Sequence, residues 1–134
     1  IIYPVDVLVG KNLNSVSKVK ALDEIDNDDL ILDIGPKTIN KIKKIIENSE
    51  TVLWNGPAGY FENPNFANGS YEIAKTIIKK NKKKSIYSVV GGGDTISLIN
   101  GINAIEDFNF VSTAGGAFLE YLEGRDLPGI KALS

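Results

Sequence analysis

The chain has 134 residues, 43% of them hydrophobic and 24% charged, with a net charge of −2: enough for one domain with a core of its own, and too evenly balanced for a dedicated nucleic-acid binder. No apolar run approaches the roughly 18 residues that mark a membrane-spanning helix, and no secretory leader pattern opens the sequence. Cys and His are both absent, which removes disulfides, thiolate and imidazole metal sites, and Ser-His or Cys-His catalysis from what this chain can do.

Taken in order, "IYPVDVLV" at 2–9 predicts a strand entered through Pro4. Residues 11–29 are polar, acidic toward their end, and predict a surface excursion; 22–29 are expected to be surface-exposed and without a catalytic role. "LILDIG" at 30–35 predicts a short buried strand or the end of one. Pro36 suits the first position of a helix, and Ile39, Ile42, Ile45 and Ile46 continue it at helical spacing over 36–48. "TVLWNG" at 51–56 predicts a strand, with Trp54 in the core. A Gly-, Pro- and Asn-rich loop follows to about residue 65. Ala67, Tyr71, Ala74 and Ile78 then step by four, three and four along a helix ending near residue 80. Its lysine run, Lys79 to Lys84, fits a helix C-terminus, where cations are favoured. "SIYSVV" at 85–90 is a third strand of this alternating series, Ile96, Ile99 and Ile102 mark a short helix, and "FNFVST" at 108–113 is a fourth. "GGAFLEYLEG" closes as a helix at Gly124. Strands alternating with helices over short connections predict an α/β fold with a parallel sheet and helices on both faces.

Three strand-to-helix junctions carry unusual residues: "WNGPAGYFE" at 54–62, "GGGDT" at 91–95 and "STAGGAF" at 112–118. In a parallel sheet all three fall on one edge, outside the carboxyl ends of the strands, where such sheets bind ligands. A glycine-rich turn feeding a helix offers free N–H groups and the positive end of the helix dipole, which suits an anion, phosphate above all. Gly91, Gly92 and Gly93 would let a polyphosphate approach the main chain. Asp94 is a poor phosphate partner by itself but a good one through Mg²⁺, which prefers carboxylate and phosphate oxygens. The plainer reading makes Asp94 a helix N-cap. Thr95 would cap the helix or donate to phosphate, and Glu62 is either a solvated loop acid or an acceptor for ribose hydroxyls. A β-branched residue at Gly93 is expected to damage both stability and binding, through positive φ and close phosphate approach. The pattern is neither a Walker loop nor the spaced dinucleotide fingerprint, so a hydride-transferring dehydrogenase ranks below a phosphate-binding reading.

The sequence opens Ile1-Ile2-Tyr3 and contains no Met, so a piece of a longer chain is expected. It holds one arginine, Arg125. Small phosphorylated acids are usually gripped by several arginines in bidentate geometry, so any clamp for one would lie elsewhere.

With "DIGPKT" (33–38), "VLWNGPAGYFE" (52–62), "GGGDT" (91–95) and "STAGGAFLEYLEGRDLPGI" (112–130) in this order, the sequence resembles the phosphoglycerate kinase family over nearly its whole length. The resemblance implies part of that family's C-terminal nucleotide-binding domain: a Rossmann-like three-layer αβα sandwich, one of two domains joined by a hinge. The other, N-terminal domain holds the phosphoglycerate with a basic patch. The implied reaction is reversible phosphoryl transfer between 1,3-bisphosphoglycerate and MgADP, giving 3-phosphoglycerate and MgATP, in glycolysis. It implies a monomeric, cytoplasmic parent with no nucleic-acid or membrane partner. By position, Glu62 resembles the carboxylate that binds the ribose, and Asn55 a nucleotide-contacting asparagine. Gly92, Gly93, Asp94 and Thr95 resemble the loop around the phosphates, with Asp94 at the Mg²⁺. Gly115 and Gly116 resemble the helix start whose N–H groups face the transferring phosphoryl. Ser112 and Thr113 lie where domain closure meets the site. Ala114 and Ile31 stand where many family members carry glycine, and the family's nucleotide-binding lysine is expected upstream of Ile1. Read from the residues without the resemblance, a non-catalytic phosphate- or nucleotide-binding α/β domain remains the alternative.

Overall fold

The computed structural model describes residues 1–134. The strands form two three-stranded sheets. In the first, β1 (Asp6–Gly10) runs between β2 (Lys18–Ala21) and β3 (Leu30–Ile34), antiparallel to both. In the second, β5 (Tyr87–Gly91) runs between β4 (Thr51–Asn55) and β6 (Phe110–Ser112), parallel to both. The helices are α1 (Pro36–Glu47), α2 (Asn68–Lys82), α3 (Gly93–Gly101), α4 (Gly115–Leu122) and a single turn, α5 (Pro128–Lys131). None is long and apolar enough to cross a membrane.

The strand-helix alternation holds from β4 onward: β4-α2-β5-α3-β6-α4 is the parallel series the spacing predicts. It does not extend to the N-terminal third. There the polar stretch 11–29 contains a strand, β2, and closes a hairpin onto β1 with Asp6 opposite Ala21. Its sequence, KVKA, alternates, but in the inverted sense: Val19 faces solvent and Lys20 faces inward. Its buried residue is Lys20, whose Nζ donates to Asp26 and Asp29 at 2.5 Å each. Backbone pairing and ion pairs hold this strand, so four residues of alternation with the lysine inward give no hydrophobic face to read. Asp29 likewise departs from the expected surface excursion: its side chain is 2% exposed and is bound also by Lys11.

One core joins the two sheets. Ile34 from β3, Ile39 and Ile46 from α1, and Ile73, Ala74 and Ile77 from α2 pack with Trp54 and Val90 of the parallel sheet and Leu98 and Ile99 of α3. Trp54 is buried as expected, tilted against Phe108 with ring centroids 6.5 Å apart. On the parallel sheet, Val52, Trp54 and Val90 face this core. Leu53, Tyr87 and Phe110 point the other way and remain half exposed. The lysine run supplies a cap for a neighbouring helix: Lys80 Nζ donates to the carbonyls of Ile46, Glu47 and Ser49 at the end of α1, which satisfies acceptors that a helix C-terminus leaves open.

Candidate functional site

The three carboxyl ends of the parallel strands lie side by side: Asn55 pairs with Gly91, and Gly91 with Ser112. All three unusual junctions therefore open on one edge. Gly92 has φ 92° and is the N-cap of α3. A Cβ on it would lie 2.6 Å from Asn55 Oδ1. Gly115 has φ 21°, and a Cβ on it would lie 2.9 Å from the Gly92 Cα. These turns nest against one another at a distance only glycine allows. Beyond them the space opens: a Cβ on Gly93 or on Gly116 would meet nothing within 4 Å. The strain expected at Gly93 thus resides at Gly92, one residue earlier, because Gly92 makes the reversal that starts the helix.

The first turns of α3 and α4 both face this edge, each with N–H groups that have no intrahelical partner. Asp94 stands at the second position of α3, exposed, with no hydrogen bond or ion pair from any side chain. The N-cap reading of Asp94 is therefore wrong: Gly92 holds that position, and no side chain caps the helix. Asn55 and Glu62 are likewise exposed. Thr95 is fully buried, and its Oγ1 accepts from the Gly56 N–H at 2.8 Å. The Gly56 carbonyl in turn accepts from Trp54 Nε1 at 2.8 Å. Thr95 thus ties the α3 turn to the loop after β4 and, with no exposed surface, does not face the edge as the expected phosphate donor; Gly56 is fixed from both sides at φ 93°. Ser112 Oγ accepts from the Ala114 N–H at 3.3 Å.

The sequence reading missed two aspartates behind this edge. Asp6 of β1 reaches across to the start of α1: its Oδ2 accepts from Lys37 N at 2.9 Å, and its Oδ1 from Thr38 N and Thr38 Oγ1 at 2.8 and 2.7 Å. Burial pushes its carboxyl up, but the Thr38 hydroxyl and the two N–H groups outweigh that and hold it below its ordinary value. Asp33 of β3 is 2% exposed. It accepts from Ile34 N through Oδ1 and from Gly69 N in the first turn of α2 through Oδ2, both at 2.8 Å. Here burial dominates over the two bonds and pushes the carboxyl up. The available signal is an acid inside an apolar strand, "PVDVLV" and "LILDIG", since a buried charge needs donors from somewhere.

An α/β domain of Rossmann-like type, with a glycine-built edge at the carboxyl ends of a parallel sheet, is the class this fold and edge define. Within it, the chain belongs to the phosphoglycerate kinase family, whose family model matches residues 1–125. Curated phosphoglycerate kinases from Chelativorans sp. (strain BNC1) and Buchnera aphidicola subsp. Acyrthosiphon pisum are 42% and 47% identical to it over 135 aligned residues, covering 99% of this chain and 34% of theirs. The solved phosphoglycerate kinase of Coxiella burnetii superposes with a TM-score of 0.86 at 41% identity, over 98% of this chain and 33% of that one. That of Pyrococcus horikoshii OT3 gives 0.78 at 32% identity, over 97% and 31%. The chain spans about a third of the length of the relatives it matches.

Proposed function

We propose that this chain is part of the C-terminal, nucleotide-binding domain of a monomeric, cytoplasmic phosphoglycerate kinase, and that its glycine edge is the Mg²⁺-nucleotide site. The observation that carries this is the nesting of Gly92 against Gly115 beside an Asp94 carboxylate that nothing in the fold uses. In this reading Gly92, Gly93 and the α3 turn receive the nucleotide phosphates. Asn55 contacts the nucleotide, Glu62 accepts from the ribose hydroxyls, and Thr95, enclosed beneath them, holds the α3 turn to the loop after β4. The N–H groups of Gly115 and Gly116, at the positive end of α4, face the phosphoryl group in flight between the terminal nucleotide phosphate and the carboxylate oxygen of 3-phosphoglycerate. Preorganised donors of this kind, with positioning, are the protein's main contribution to phosphoryl transfer.

The residues present fit a Mg²⁺. Asp94 offers one unpaired carboxylate at the rim of open space, and Mg²⁺ typically takes one or two carboxylates and completes its shell with phosphate oxygens and water. When bound there, the ion would neutralise charge on the phosphates. The chain's own arginine, Arg125, is engaged by Glu123 at 2.8 Å and lies past α4, in keeping with an acid-substrate clamp on the other domain. The 134-residue chain alone is therefore expected to give only background in a coupled ATP-consumption assay, since both reactants must be held together for the rate. The decisive experiment uses the full-length protein. Asp94→Asn is expected to lower turnover and raise the Mg²⁺ concentration needed for half-maximal rate, with the melting temperature unchanged. A Mg²⁺ dependence identical to the parent's would sink the assignment of Asp94 to the metal, and nucleotide binding without any turnover in the full-length parent would favour the non-catalytic phosphate-binding reading.

A further inference from the structure

Resting on that reading of the edge, we propose that Asp33 is a positioning residue for the nucleotide: its buried carboxylate sets the path of loop 56–62 and thereby the placement of Glu62, although Asp33 is not itself at the edge. The upstream end of this loop is fixed by Thr95 and Trp54 at Gly56. Its downstream half rests on two other supports. Ala58 N donates to Ser70 Oγ at 2.8 Å, and Tyr60 N donates to the Leu32 carbonyl at 2.7 Å. One support belongs to α2 and the other to β3, and Asp33 is where the two meet. It follows Leu32 directly in the chain, and it accepts from Gly69 N, the residue before Ser70.

The loop also lies flat on the carboxylate. A Cβ on Gly59 would fall 2.5 Å from Asp33 Oδ1, and one on Gly69 2.3 Å from the same oxygen. Two glycines are thus kept side-chain-free by a single acid. No cation pairs with Asp33, and a buried carboxylate without one is costly. An apolar residue would fill the same volume, but it would accept from neither Gly69 N nor Ile34 N. What the acid adds is a fixed distance between β3, α2 and the loop they carry.

The test varies both substrates in steady-state assays on the full-length protein. Asp33→Asn keeps the shape but points an amide NH₂ at one of the two N–H donors. It is expected to raise the nucleotide KM about tenfold while kcat and the acid-substrate KM stay within about twofold. Ser70→Ala, which removes only the Ala58 contact, is expected to move the nucleotide KM the same way by about threefold. Ile77→Val, a fully buried core change away from the loop, supplies a variant whose melting temperature falls without touching this linkage. A parallel loss of melting temperature in Asp33→Asn and Ile77→Val, with no selective change in nucleotide KM, would overturn the proposal. If Asp33→Asn does not fold, Ser70→Ala decides: an unchanged nucleotide KM there overturns it equally. Glu62→Gln separates this outcome from failure of the site itself. A nucleotide KM that responds to Glu62→Gln but not to Asp33→Asn or Ser70→Ala removes the positioning role and leaves the site. One that does not respond to Glu62→Gln removes the basis of both.

Discussion

The rims of the two sheets carry the same polar residue types and use them in opposite ways. On the antiparallel sheet, Asp6 and Asp33 are 4% and 2% exposed, and every carboxylate oxygen accepts a hydrogen bond from the start of a helix or the strand itself. On the parallel sheet, Asp94, Asn55 and Glu62 are exposed and unengaged, and glycine takes the N-cap that an acid would otherwise fill. An acid already satisfied by the fold holds helices in place; an acid left unsatisfied beside empty backbone N–H groups is available to a ligand. The position of a residue near a helix start does not separate these roles, because Asp6 and Asp94 both stand at one. The partners do.

The sharpest way to break that contrast is at the glycines. Gly92→Val places a β-branched side chain at φ 92° and against Asn55, a backbone region that costs such residues about 1–3 kcal/mol before any clash. In the full-length protein it is expected to lower the melting temperature by several degrees and activity by about 100-fold or more, the scale of losing preorganised donors. Gly93→Ala, one residue on, meets no neighbour and is expected to leave the melting temperature in place while weakening MgADP binding, read by calorimetric titration. Equal thermal losses at both positions would mean that the edge is rigid structure rather than an open cradle.

A second test compares the aspartates directly. Asp6→Ala strips the start of α1 of three accepted hydrogen bonds and is expected to cost about 2–4 kcal/mol of stability, measured by denaturant unfolding, with kcat unchanged in the folded fraction. The two buried aspartates should also separate by pH. The Asp6 carboxyl lies below its ordinary 3.8, so its contribution is present above that value and is lost as pH falls through the folded pKa. The Asp33 carboxyl lies above 3.8, so its contribution is full below that value and is lost as pH rises through the raised pKa. Asp6→Asn is therefore expected to flatten the acid-side fall of melting temperature, and Asp33→Asn to steepen it. Profiles that shift in the same sense would contradict the assignment of hydrogen bonding to one and burial to the other.

The fold from α1 onward was legible because its signals are local. Isoleucines at helical spacing mark α1, apolar runs mark β4 and β5, and glycines mark the strand ends that Asn55, Gly91 and Ser112 align. What escaped was carried by distant partners. Lys18–Ala21 is a strand because β1 pairs with it, and Lys20 is buried because Asp26 and Asp29 neutralise it. Asp6 reaches a helix more than thirty residues away in sequence, as does Asp33. The choice between Gly92 and Gly93 as the strained residue depends on where the helix axis begins, which three consecutive glycines do not encode.

The smallest effect is expected in the acidic loop, where the same contrast recurs within four residues. Asp28 is exposed and reaches Lys11 at 2.7 Å; Asp26 is exposed and reaches Lys20. The Asp28 pair is exposed at both ends and contributes little, since solvent screens it and two long side chains must be ordered, and when Asp26 is changed the buried Lys20 keeps Asp29. Asp29, between them in space, is the enclosed member: it accepts from Lys20, from Lys11 and from the Asp26 N–H at 2.9 Å, and these partners hold its carboxyl well below the usual range. Replacing Asp26 and Asp28 together by Asn is expected to leave the kinetics of the full-length protein within about twofold, and the melting temperature nearly so. Asp29→Asn alone is expected to lower the melting temperature more than that pair combined, because it leaves Lys20 buried without its enclosed partner. Both variants are expected to keep the parent's nucleotide KM. A tenfold loss of activity in the Asp26, Asp28 pair would place catalytic function on this loop, and the division between a structural rim and a ligand-binding rim would then be drawn in the wrong place.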